Sequence, residues 1–227
     1  KAIAFCKKNN LILASDECYT DIYLTDETPL SILELVTSKN PSPKTQSSFA
    51  DSQVIAFHSL SKRSNMTGYR IGWVAGDPEL IAAFKKLKTN IDSGTPDFIQ
   101  SAAIAALSDE EHVKIQRGLY RERAKILTEA FKKMGLPPAR IGGAFYLWQK
   151  VPQGMTSSKF AQKLLAPDIA IAVTPGAWIS DECFDPAHPA IRKTINPGEG
   201  YVRFALVPSL ERTKEAAKRL DKKLKLA

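Results

Sequence analysis

This sequence predicts an α/β fold in which a large, mostly parallel sheet domain is followed by a smaller α+β domain. Three observations lead there. Two short apolar runs, Leu11-Ile12-Leu13-Ala14 and Gln53-Val54-Ile55-Ala56-Phe57, each stop at polar residues, as strands buried on both faces of a largely parallel sheet do. Between them lie a candidate helix from Pro29 to Val36 and a Pro/Ser-rich loop from Ser38 to Ser52, ample for the crossover that a parallel pair needs. A periodic stretch of about 26 residues, from near 109 to near 135, is far longer than the globular mean helix of about 11–12. It is expected to bridge two domains, 1–120 and 121–227.

Taken in order, the chain opens in a helical segment, Ala2 to Lys8, before the first strand. A third strand, Arg70 to Ala75, follows the second after a loop of about ten residues. That is too short for a parallel return, so this strand is expected to run antiparallel. Asp77-Pro78-Glu79 starts a helix with an N-cap carboxylate, a proline at the first helical position and an acid in the first turn. Another helix spans Asp97 to Leu107, and Ser108-Asp109-Glu110-Glu111 reads as the capping box of the long helix. The smaller domain is expected to hold strands at 144–149, 170–173 and 201–206, a helix from Ser157 to Leu165, and a final helix capped by Ser209 and running to about Leu224.

Composition narrows the function classes. With 227 residues and 44% hydrophobic content there is material for real cores. No apolar run approaches membrane-spanning length. The net charge of +8 comes from lysines spread along helix faces, as in Lys85-Lys86 and Lys132-Lys133, with no basic block or interleaved aromatics, so no nucleic-acid partner is expected. Cys6, Cys18 and Cys183, and His58, His112 and His188, show no metal-ligand spacing, so no metal is expected and the thiols suit a reducing cytoplasm. The chain starts at Lys1 within a helix-like segment, which suggests a piece of a longer protein.

The chemistry concentrates in Ser59-Leu60-Ser61-Lys62-Arg63-Ser64-Asn65-Met66-Thr67-Gly68-Tyr69-Arg70. A lone lysine is ordinarily a solvated surface group. Here it follows a buried strand, with two hydroxyls before it and an arginine eight residues on. An amine able to condense with an aldehyde, beside hydroxyls and a guanidinium able to hold a phosphate, suits pyridoxal phosphate. The strand directions place Asp16, Lys62 and Arg70 on one edge of the sheet, where open α/β folds bind ligands.

Five segments in order, Asp16-Glu17-Cys18-Tyr19, Ser59-Leu60-Ser61-Lys62, Gly68-Tyr69-Arg70-Ile71-Gly72, Gly142-Gly143-Ala144-Phe145-Tyr146 and Gly198-Glu199-Gly200-Tyr201-Val202-Arg203, resemble the fold-type I pyridoxal-phosphate aminotransferases of classes I and II. The resemblance implies that the chain is the C-terminal part of such an enzyme: the rest of the large cofactor-binding sheet domain plus the small domain. It implies a Schiff-base lysine and proton carrier in Lys62, and in Asp16 a partner for the pyridine nitrogen that keeps the ring an electron sink. Tyr19 would hydrogen-bond the phenolate oxygen. Ser59, Ser61 and Arg70 would hold the phosphate, and Arg203 the substrate carboxylate. It further implies that a helix N-terminus, a stacking aromatic and an asparagine of the cofactor cradle lie outside these residues.

Within the family, Ser15 to Tyr19, Ser61 to Asn65 and Asn196 to Leu206 resemble bacterial N-succinyldiaminopimelate aminotransferases, which exchange an amino group between glutamate and a succinylated keto acid of lysine biosynthesis. Met66-Thr67-Gly68-Tyr69 is closer to aspartate or LL-diaminopimelate aminotransferases. A lyase of the same fold and a transcription regulator with an aminotransferase-like domain stay open beside these. The resemblance implies a cytoplasmic homodimer acting on small amino and keto acids.

Overall fold

Three strands form the first sheet, in the order β1 (Leu13–Asp16), β2 (Val54–Ser59), β3 (Gly72–Gly76). The computed structural model describes residues 1–37, 49–139, 141–187 and 194–223, and the chain divides into two units, Lys1–Gln116 and Arg117–Ala227. In the first unit β1 pairs parallel with β2 from Leu13↔Val54 to Asp16↔Phe57. β3 pairs antiparallel with β2, ending at Ser59↔Gly72, the direction that the short loop requires.

The first apolar run departs from its reading. Leu11 donates its N–H to the Cys6 carbonyl (2.9 Å), closing α1 (Ala2–Lys8), and the ladder starts only where Leu13 N–H meets the Gln53 carbonyl (2.8 Å). Leu11 and Ile12 are exposed. β1 alternates between half-buried and exposed residues instead of being buried on both faces, and Asp16 is its last residue. The run marks a strand, but the partner's ladder sets its register. α2 (Ile32–Thr37) likewise starts after Pro29, because Ser31 and Glu34 form a capping box. The Ser31 hydroxyl accepts from Leu33 N–H (3.1 Å) and the Glu34 carboxylate from Ser31 N–H (2.9 Å). Most of the expected Pro/Ser-rich loop falls outside the described residues.

α3 is a single turn, Leu60–Arg63, directly after β2. α4 (Pro78–Ile91) is held by Asp77, whose carboxylate accepts from Glu79 N–H (3.0 Å) and Gln53 N–H (3.0 Å). α5 (Asp97–Leu107) matches its reading. The start of α6 (Glu111–Lys133) does not. Ser108 bonds back to the Ile104 carbonyl (2.8 Å), finishing α5, and Asp109 is the cap, accepting from Glu111 N–H at 2.8 Å. Leu60, Met66 and Ala103 form a core against Ile71 and Trp73.

In the second unit, β4 (Tyr146–Lys150), β8 (Tyr201–Ala205) and β5 (Thr174–Pro175) form an antiparallel sheet in the order β4-β8-β5. Phe131, Leu147, Phe160, Leu164, Val202, Phe204 and Leu220 are buried in this unit, two of them from α7 (Ser157–Leu165), which packs on β8, and one from α8 (Leu210–Lys223), and the Phe131 and Phe204 rings are in contact. The strand read at 170–173 is absent. Ala170 has φ 48°, which interrupts an extended run, and only Thr174–Pro175 pairs. Cys183–Phe184 (β6) and Thr194–Ile195 (β7) form a short antiparallel pair that the sequence did not announce. His188 and Leu224 lie outside the described residues.

Candidate active site

Six of the residues singled out in the sequence, Asp16, Tyr19, Ser59, Ser61, Lys62 and Arg70, gather at the C-terminal ends of β1 and β2, and the local chain explains why. Ser59 ends β2 in extended conformation (φ −147°, ψ 138°) and caps α3, its hydroxyl accepting from Ser61 N–H at 3.1 Å. The cap turns the chain sharply from strand to helix. Leu60 and Arg63 then face inward and are buried, while Ser61 and Lys62 remain half-buried on the side towards Tyr19 and Arg70.

Arg70 sits at φ 54°, ψ 48°, a left-handed conformation unusual for a non-glycine residue. Its Nη1 donates to the Thr67 carbonyl (3.0 Å) and lies 3.5 Å from Ser61 Oγ, while Thr67 Oγ1 donates to the Ser61 carbonyl (3.0 Å). A guanidinium and a hydroxyl thus converge on exposed space at a helix start, an arrangement suited to a phosphate. Just beyond, the β3 backbone at Gly72 passes so close to the His58 carbonyl that no side chain fits between them.

On β1, Asp16 accepts from Cys18 N–H at 3.1 Å. Hydrogen bonds from the Cys18 side chain and backbone hold its carboxyl below the ordinary aspartate range, so it stays an anion. Burial, and then the Asp16 charge, push the Cys18 thiol up to about 11, with Lys62 pulling the other way. The Tyr19 ring centroid lies 6.0 Å from Lys62 Nζ. This edge therefore presents one carboxylate, one primary amine beside a phenol, and one guanidinium–hydroxyl corner.

Arg203 belongs to the second unit. It stands on β8, paired with Trp148 and Thr174, on the face opposite the buried Val202 and Phe204. Its guanidinium lies 4.3 Å from the Tyr146 ring centroid, a cation–π contact. Thr67, Gln116, which donates to the Lys62 carbonyl (3.0 Å), and the buried Arg63 were not singled out from sequence. The partners of Gln116 and Arg63 lie mostly more than forty residues away and leave no local pattern, while Thr67 acts through bonds to Ser61 and Arg70 that its residue type does not announce. Among the described residues no cluster of three His, Cys, Asp or Glu could hold a metal, and no helix is long and apolar enough to cross a membrane.

Comparison with known proteins agrees with the motifs. The family model for aminotransferase class I and II matches residues 1–219. An LL-diaminopimelate aminotransferase of Aquifex aeolicus is 42% identical over 227 residues, all of this chain and 51% of that protein. One from Maridesulfovibrio salexigens is 36% identical over 222 residues, covering 97% and 50%. An aminotransferase crystal structure from Neisseria meningitidis superposes with a TM-score of 0.79 at 34% identity, covering 96% of this chain and 51% of that one. A probable N-succinyldiaminopimelate aminotransferase from Thermus thermophilus gives 0.73 at 29% identity, covering 98% and 52%. The chain therefore spans about half the length of the relatives it matches, and the family as a whole is pyridoxal-phosphate dependent. The chain belongs to the class I and II aminotransferases.

Proposed function

We propose that the protein is a pyridoxal-phosphate-dependent aminotransferase of the diaminopimelate branch of lysine biosynthesis, exchanging an amino group between glutamate and a keto-acid precursor of LL-diaminopimelate. The observation that carries this reading is the convergence of Asp16, Tyr19, Ser61, Lys62 and Arg70 on one sheet edge. The residues fit the cofactor: an anion for a protonated ring nitrogen, a hydroxyl–guanidinium corner for a phosphate, and an amine for an aldehyde. When bound, pyridoxal phosphate supplies an electron sink that stabilises negative charge at the substrate's Cα.

The remaining steps fall to the chain. Asp16, kept ionised by Cys18, would hold a proton on the ring nitrogen. Ser59, Ser61 and Arg70 would anchor the phosphate and so orient the group towards Lys62. The Lys62 amine would take the proton from the substrate's Cα as general base and deliver it as general acid to the cofactor's C4′ carbon, two bonds away. Tyr19 would donate to the phenolate oxygen. Arg203, its charge already resting on an aromatic face, takes the substrate carboxylate. The reading includes a cytoplasmic homodimer with alternating half-reactions.

The names of the curated relatives favour LL-diaminopimelate itself, whereas the solved Thermus structure and the Ser61–Asn65 resemblance favour its N-succinyl derivative. Reductive labelling with pyridoxal phosphate and borohydride, mapped by peptide mass, tests the anchor. The label is expected on Lys62 and absent from Lys62→Ala; equal labelling of the variant would overturn the assignment. Glutamate formation from 2-oxoglutarate, assayed with LL-diaminopimelate, its N-succinyl derivative and aspartate in parallel, then decides the substrate. Consumption of the amino acid without a keto-acid requirement would point to a lyase.

A further inference from the structure

We infer that Arg63, the residue after the site lysine, is a positioning residue that braces the Tyr19-bearing turn against α3 and so sets the spacing between Tyr19 and Lys62. What is positioned rests on the function proposed above; the brace itself is geometric. α3 is one turn long, too short to persist on its own. Its side towards the protein consists of Leu60, fully buried, and Arg63, only 4% exposed. The Arg63 guanidinium reaches three separate segments. Nε lies 3.5 Å from Asp21 Oδ2, Nη1 donates to the Ala106 carbonyl (3.0 Å) and to Ser64 Oγ (3.2 Å), and Nη2 pairs with Glu110.

The Asp21 contact is the one that concerns chemistry. Asp21 lies two residues past Tyr19 in a turn closed by Thr20 N–H to the Glu17 carbonyl (3.1 Å) and Ile22 N–H to the Tyr19 carbonyl (2.9 Å). Glu17 continues the β1 ladder, its N–H bonded to the Phe57 carbonyl at 2.8 Å. One end of the turn is thus tied to β2 through β1, and the other to α3 through Arg63. Neighbouring residues of α3 face neighbouring positions of that turn: Lys62 meets Tyr19 and Arg63 meets Asp21. A lysine at position 63 would keep the charge but, as a compact point charge, could not serve carbonyl, hydroxyl and two carboxylates in one plane.

Two readouts test this on the full chain. The first is amide hydrogen exchange of residues 17–22 without cofactor, in wild type, Arg63→Lys, Asp21→Asn and a control, Asp92→Asn, which removes a surface ion pair with Lys88. Exchange in this turn is expected to quicken in the first two variants and not in the control. The second is the pH profile of reductive labelling of Lys62 by pyridoxal phosphate. Asp21→Asn, with its unfolding midpoint unchanged, is expected to shift the midpoint of that profile and to cut labelling at fixed pH by about two- to fivefold, the size expected of a half-exposed ion pair. Unchanged exchange in Asp21→Asn would overturn the brace. Faster exchange with an unaltered Lys62 profile would reduce Arg63 to a folding role and overturn the positioning. If the wild-type chain takes no label on Lys62, the proposed function falls, while the exchange comparison still decides the brace.

Discussion

Adding one methyl group at Gly72 should damage the strand end that carries this site. Gly72 faces Ser59 in the last rung of the β2–β3 ladder. A Cβ there would press on the His58 carbonyl oxygen and sit 3.4 Å from Ser59 Cα, so the obstacle is backbone, which cannot swing away. Close C–H···O contacts between adjacent strands sit at about 3.3–3.6 Å, and reaching that range requires the strands to part by about 1 Å. A ladder bond stretched by that amount is no longer a hydrogen bond. One or two such bonds at about 1 kcal/mol each, plus about 1–3 kcal/mol for overpacking, give a cost of about 2–5 kcal/mol. The conformation plays no part, because Gly72 does not need a positive φ. Gly118, inside α6 with open space around it, is the matched control. There the same substitution should stabilise by about 0.5–1 kcal/mol, glycine being the poorer helix former. Urea unfolding of both variants checks the opposite signs. Because Ser59 caps α3, Gly72→Ala should also weaken pyridoxal-phosphate labelling of Lys62. Wild-type stability for Gly72→Ala, or two variants shifting in the same direction, would refute the close-approach argument.

Asp77→Ala removes the α4 cap together with the bond to Gln53 N–H and should cost about 1–2 kcal/mol in urea while leaving Lys62 labelling unaltered. Phe131→Ala empties a fully buried position against Phe204 and should cost about 3–5 kcal/mol, seen as lost exchange protection in β8. With its pKa near 11, the Cys18 thiol at pH 8 should alkylate on the order of a hundredfold more slowly than an ordinary thiol. Asp16→Asn should speed that reaction, because the neighbouring negative charge is gone. Asp16 itself should titrate below the usual aspartate midpoint by NMR and move up in Cys18→Ala. With its folded value below its unfolded one, the stability it contributes is present above the unfolded pKa and lost as pH falls through the lowered value.

Elements that carry their own punctuation could be read locally. Asp77-Pro78 opens α4, Thr156 caps α7 by accepting from Lys159 N–H (3.2 Å), and Ser209 caps α8 by accepting from Arg212 N–H (3.3 Å). Each depends on atoms within three residues of one another. The misreadings arise where a second bonding partner competes for the same residue. β1 slid because Gln53 starts the ladder at Leu13. The strand at 170–173 failed at Ala170, whose carbonyl, with that of Ile169, accepts from Arg219. Ser108 looked like a cap until α5 claimed it.

The site divides along the same line. Lys62, Asp16 and Arg70 were legible because each lies at or near a strand end, which fixes the edge on which a residue lies: Asp16 ends β1, Lys62 comes just after β2, and Arg70, expected to open β3, precedes its start at Gly72 in a left-handed turn. What holds them there was not legible. Arg63 reads as one more basic residue in a basic chain, and Asp21 as one more turn aspartate. Only the fold brings them within 3.5 Å and buries the guanidinium. Burying a charge is costly unless every donor is answered, so Arg63 is better placed where those answers also serve the site. Arg203 shows the converse. Its strand position was readable, but an arginine on an outer face would ordinarily be a solvated group. Its contact with Tyr146, two residues after Ala144 at φ 60°, gives the guanidinium a fixed aromatic seat. That seat sets Arg203 apart from an arginine that merely faces water, which is what the proposed carboxylate contact requires.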